Sequence, residues 1–168
     1  ATEKMNVTAC ANPAASGTGA ISLTTARDIF AIEGSSISVV NGGLTLSANQ
    51  QASPTAGAFT GVWARGTLTT SGTGDITLLG RSGTLSGSAL DDDGVSVVGL
   101  VQSTLAGATA GDIFITGVSN TGGADDSAEG VTLAGAAPGG QIVTAGGNVT
   151  ITGTGSLGVG PGNHGGLS

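Results

Sequence analysis

The chain has 168 residues, of which 33 are glycine, and a formal net charge of −7. Average proteins carry only about 7% glycine. Tyr is absent, and the aromatic residues are Phe30, Phe59, Trp63 and Phe114, so a single domain fits the length but a core of large rings is excluded. All four basic residues (Lys4, Arg27, Arg65, Arg81) precede Ser82, which excludes an electrostatic footprint for nucleic acid or an anionic membrane. The lone Cys10 excludes an internal disulfide, and no stretch approaches the ~20 apolar residues of a membrane span.

In chain order, the first apolar positions are Val7 in MNVTAC and Ile21/Leu23 in AISLTT. DIFAIEG offers Phe30/Ile32 as an inward pair, with Gly34 taken as the equivalent of later glycines; SISVV (36–40) and Leu44/Leu46 follow. GVWARG contributes Val62/Ala64, TLTTS (67–71) a middle strand, and GDITLLG the pair Ile76/Leu78. The order returns as GVSVVG (Val95/Val97), STLAG (103–107) and GDIFITG (Ile113/Ile115). It returns again as GVTLAG (Val131/Leu133), QIVTA (141–145) and GNVTITG (Val149/Ile151).

Each repeat thus holds three short segments that alternate apolar and polar with period 2, separated by glycine-rich corners. No helical period is sustained. Segments this short bury their apolar faces only by stacking on the next repeat, roughly 4.8 Å away. The expected fold is all-β: a right-handed parallel β-helix, or β-solenoid, of about five turns of 23–36 residues in one domain over 1–168. The first turn is short (7–29), and later turns begin near 30, 62, 95 and 131. Val7, Phe30, Val62, Val95 and Val131 are expected to stack in one file, with a sixth rung cut at Leu167-Ser168. An open edge there suits either an excerpt of a longer solenoid or a unit that pairs end to end with its own kind.

Spare length collects in four arms: SANQQASPTAGAFTG, LGRSGTLSGSALDDDG, TGVSNTGGADDSAEG and TGTGSLGVGPGNHGG. Loops projecting from one corner are the natural face for partners. Two arms end in acids, Asp91, Asp92 and Asp93 in one, Asp125, Asp126 and Glu129 in the other. Hard oxygen ligands in stacked loops suit Ca²⁺; the alternative is a solvated acidic rim. No other cofactor is expected.

Asp75, Asp112 and Asn148 share one repeat position. A row of acids for general acid/base work is one reading; side chains satisfying corner N–H groups is the stronger one, because a catalytic site is normally unique. His164 lacks a triad or metal context and reads as a surface residue. Trp63 should point outward, either under an arm or stacking on a sugar. Arg27, Arg65 and Arg81 are sparse and read as surface residues, anionic saccharides being the alternative. Cys10 is placed either as an outward thiol or as a small buried hydrophobe. Asn6 and Asn148 fit the glycosylation sequon but fall within strands.

The motifs GTGDITL, AGDIFITG, GNVTITGTG, GVSVVG and GVTLAG resemble the parallel β-helix segments of large bacterial surface proteins. The likeness is to filamentous-haemagglutinin-type and autotransporter adhesins and giant Gly/Thr-rich repeat proteins. The resemblance implies a non-catalytic structural or adhesive segment of an extracellular fibre or stalk, secreted or on the cell surface. Its partners would be further repeats or copies of itself, or extracellular glycans and neighbouring cell surfaces, without nucleic acid or membrane insertion. The alternatives are a carbohydrate-active β-helix enzyme of the pectate-lyase or polygalacturonase type, and a solenoid that binds carbohydrate or, through Thr45, Thr77 and Thr150, ice.

Overall fold

The computed structural model describes residues 4–8, 12–84, 92–119, 128–135 and 139–155. A first layer of strands consists of β1 (Met5–Val7), β2 (Ala14–Ala15) and β3 (Ile21–Thr25), and a second of β4 (Ile29–Ala31), β5 (Ser36–Val39) and β6 (Leu44–Ala48). The third holds β7 (Val62–Ala64), β8 (Thr67–Thr70) and β9 (Ile76–Arg81), and the fourth β10 (Val95–Val97), β11 (Leu100–Ser103) and β12 (Ile113–Val118). The last holds β13 (Val131–Leu133), β14 (Gln141–Thr144) and β15 (Val149–Thr154).

Strands of equal rank pair in parallel to make three five-stranded sheets, β1-β4-β7-β10-β13, β2-β5-β8-β11-β14 and β3-β6-β9-β12-β15. The chain is therefore a parallel β-solenoid, with no helix among the described residues. About five turns are expected from the repeat; among the described residues three windings carry a neighbour on both sides, while the first and last are flanked on one side only.

The interior is built from vertical files. On the third sheet Ile21, Leu44, Ile76, Ile113 and Val149 pair in register, as the repeat predicts, and beside them run Leu23, Leu46, Leu78, Ile115 and Ile151. On the first sheet Val62, Val95 and Val131 form one file, again as expected. In the three middle layers nearly all these side chains are fully buried. Each contributes about 1.5–3 kcal/mol by leaving water, so thin aliphatic layers replace the missing aromatic core.

Two registers differ from expectation. Ile29, not Phe30, completes the Val62 file, and Met5 rather than Val7 lies below it; Val7 stacks on Ala31. The cause is the corner after β4, where Ile32, Glu33, Gly34 and Ser35 precede β5, whereas only Arg65 and Gly66 separate β7 from β8. Gly34 is therefore not the equivalent of Gly66, whose position above Ser35 is so tight that a Cβ would strike that serine. The middle strand of the fourth layer is LVQS (100–103), not STLAG (103–107), in register with Thr67–Thr70.

Candidate functional site

The Asp75, Asp112 and Asn148 row is a hydrogen-bond ladder. Asp75 Oδ1 accepts the Asp112 backbone N–H at 2.8 Å, and Asp112 Oδ1 accepts that of Asn148 at 2.7 Å. Asn41 Oδ1 does the same for Thr73 at this corner between the second and third layers, at 3.1 Å. Each short side chain satisfies the lead-in N–H of the next layer, the role expected of a repeated Asx.

The acidic arms are not a solvated rim in their described parts. Asp92, Asp93 and Glu129 are exposed by only 2%, 0% and 5%. They sit where the arms rejoin the first sheet. The Asp93 carbonyl accepts the Gly61 N–H, its Oδ1 accepts the Glu129 N–H at 3.2 Å, and the Glu129 carbonyl accepts the Gly94 N–H. Burial follows from this stacking, which lays successive arm ends over one another. Asp91, Asp125 and Asp126 lie outside the described residues, as do Cys10 and His164. Among the described residues no three Asp, Glu, His or Cys side chains gather closely enough to hold a metal ion; half of the six-carboxylate Ca²⁺ set lies outside them.

The first arm is fixed by a polar clamp that the sequence does not announce. Asn49 is fully buried with a left-handed φ of 58°, a conformation Asn tolerates better than most residues. Its Nδ2 donates to the Ser82 carbonyl at 2.8 Å, and its Oδ1 accepts from Gln51 Nε2 and the Thr55 N–H, each at 2.8 Å. Thr55 Oγ1 in turn donates to the Ala26 carbonyl at 2.6 Å, tying the arm to the previous winding.

The shifted register at β4 turns Phe30 outward, into the file Asn6, Phe30, Trp63, Ser96 and Thr132. Trp63 points outward as expected but is not isolated. It stacks on Phe30, with ring centroids 4.9 Å apart and planes 20° apart. Three of the four cations stand over rings, Lys4 over Phe30 at 4.7 Å, Arg27 over Phe59 at 4.9 Å and Arg65 over Trp63 at 5.5 Å. Contacts of this kind are worth roughly 0.5–1 kcal/mol at exposed sites. The clustering of base and aromatic in the first half of the chain thus has a spatial counterpart on one face.

Beside this face Asp28 is almost fully buried, its side chain 8% exposed, with Arg27 Nη1 at 3.1 Å and Lys4 Nζ at 3.7 Å. Burial pushes its carboxyl above the ordinary 3.8, outweighing the opposing pull of Arg27 and Lys4. An acid whose folded pKa is raised stabilises the fold while protonated, and that stability is lost as pH rises from the unfolded value through the folded one. Asp28→Asn removes this dependence. Its melting temperature relative to the parent chain therefore increases between pH 3.5 and pH 7 in paired thermal melts. A difference that stays constant or falls over that range contradicts the assignment.

A groove of about 500 Å³ opens at the corner between the first and second sheets, lined among others by Glu33, Arg65, Thr67, Val98, Leu100 and Gln141. Arg65 Nη2 lies 3.5 Å from Glu33 Oε2, and the two side chains are 37% and 84% exposed. Its volume falls within the range of small-molecule sites.

Fold and surface together define a parallel β-solenoid with one cationic–aromatic face and one corner groove. No protein-family model matches the chain, and no curated protein or solved structure matches it either.

Proposed function

We propose that this chain is a non-catalytic structural or adhesive segment of an extracellular fibre or surface protein, in which solenoid layers add end to end. The observation that supports it is the change in exposure along the interior files. Leu44, Ile76 and Ile113 are 0% exposed, whereas Val149 in the same file is 40% exposed; on the first sheet Leu133 reaches 38% above a fully buried Val97. Among the described residues β13, β14 and β15 each pair with a neighbour on one side only, and core side chains are open on the other, the combination that invites another strand. Further layers, from the same polypeptide or from a second copy, would cover both. The extracellular and bacterial placement rests on the resemblance of the strand motifs to adhesin repeats.

Sedimentation velocity over a dilution series, with electron microscopy at neutral pH, tests this reading. End-on oligomers or fibres that Val149→Lys abolishes are the expected result, since a lysine on an edge blocks strand addition. Monomers at every concentration, or association that Val149→Lys leaves intact, count against it. Release of unsaturated or reducing ends from polyuronides would favour the enzyme reading instead. The ice-binding alternative has the weaker surface: in the outward file Ser22, Thr45, Thr77, Phe114, Thr150, the ring of Phe114 is 37% exposed and interrupts the hydroxyls.

A further inference from the structure

The corner groove has a cause in the chain's own spacing. Two residues, Arg65 and Gly66, join β7 to β8, and two, Val98 and Gly99, join β10 to β11. The layer below connects through Ile32 to Ser35, and the layer above lines the groove with Gly135, Gly139 and Gln141. The lining thus spans four layers, three layer spacings or about 14 Å. Glycines at 66 and 99 keep the floor low; a Cβ at either would strike the backbone of the layer below.

Its lining is two-sided. Glu33, Arg65 and Gln141 supply hydrogen-bonding groups, while Val98 and Leu100, both half-buried, supply an apolar strip. Arg65 is steadied by the Trp63 ring at 5.5 Å and paired with Glu33 at 3.5 Å. A guanidinium fork that only donates thus stands beside a carboxylate that only accepts. Vicinal hydroxyls both donate and accept, and a sugar ring carries them on its edges with C–H groups on its faces.

We propose that this groove is a binding site for a neutral saccharide, with Arg65, Glu33 and Gln141 holding its hydroxyls and Val98 and Leu100 carrying a C–H face. A carboxylated or sulfated sugar fits less well, because it would have to displace Glu33 from Arg65 in a chain of net charge −7. The site is independent of end-to-end stacking: a chain that stacks without binding sugar leaves the structural reading intact, and the reverse also holds.

The test uses the full chain and defined tetrasaccharides of the cello, malto, manno and galacto series, with oligogalacturonate as the anionic comparison, read by calorimetry and ligand-observed NMR. Binding of at least one neutral series is expected. Arg65→Ala and Glu33→Gln should each weaken it about tenfold, the scale of one hydrogen bond to a charged group. Thermal melts on both variants establish that they fold, and Glu33, at 84% side-chain exposure, carries little structural risk. Absence of binding to every neutral series, tighter binding of oligogalacturonate, or neutral binding that survives both substitutions overturns the proposal.

Discussion

Leu78→Ala is expected to lower the free energy of unfolding by about 2–5 kcal/mol, the range for truncating a fully buried aliphatic side chain. Leu78 has no exposed surface and lies in the third of five layers, between Leu46 below and Ile115 above. The ladders on both sides hold the layers at strand spacing, so the file cannot close over the missing atoms. No aromatic side chain lies in the buried core cluster to swing into the gap. A loss of this size is a large share of the 5–15 kcal/mol that ordinary domains possess. Ile151→Ala, in the half-buried end of the same file, should cost distinctly less. Urea denaturation of both variants checks the contrast, and equal losses at Leu78 and Ile151 would contradict a continuous interior stack.

The third sheet was readable from sequence because each of its later strands opens on glycine followed by a short polar residue, after which apolar and polar positions alternate cleanly. Ile76/Leu78 and Ile113/Ile115 admit only one phase. DIFAIEG does not: Ile29, Phe30, Ala31 and Ile32 are all apolar, so period 2 has no phase there, and counting back from Gly34 imports the two extra corner residues as a shift of one. That single step decides whether Phe30 is core or surface, and with it whether Trp63 has an aromatic neighbour. In the fourth layer, GLVQSTLAG holds two plausible apolar runs; the constant offset from Val62 to Thr67 and from Val95 to Leu100 would have selected LVQS. The burial of Asp92, Asp93 and Glu129 had no comparable signal, because it depends on how separate arms lie over one another rather than on any local pattern. The corner groove was legible only as a difference in connection length between successive layers, which no motif displays.

Gly42→Ala, Gly74→Ala and Gly111→Ala are expected to destabilise the fold by about 1–3 kcal/mol each, the scale of forced overpacking. These glycines form a file at the corner before the third sheet. A Cβ on Gly42 would overlap the carbonyl of Gly19, one on Gly74 that of Gly42, one on Gly111 that of Gly74, and one on Gly147 that of Gly111. The obstacle in each case is backbone held by ladder hydrogen bonds, as in Leu44 N–H to the Asp75 carbonyl and Ile76 N–H to that of Asp112, so relief requires the layers themselves to part. None of the four adopts a positive φ; glycine is required for close approach rather than for conformational freedom. Gly43 supplies the control, being adjacent in sequence yet with nothing nearer to its hypothetical Cβ than the Asp75 carbonyl at 3.9 Å. Gly43→Ala should therefore stay within about 0.5 kcal/mol of the parent. Denaturant midpoints for the Gly42 and Gly43 variants separate the explanations directly: a shared loss would point to chain flexibility, whereas a loss confined to Gly42 shows that consecutive windings touch there, backbone on backbone.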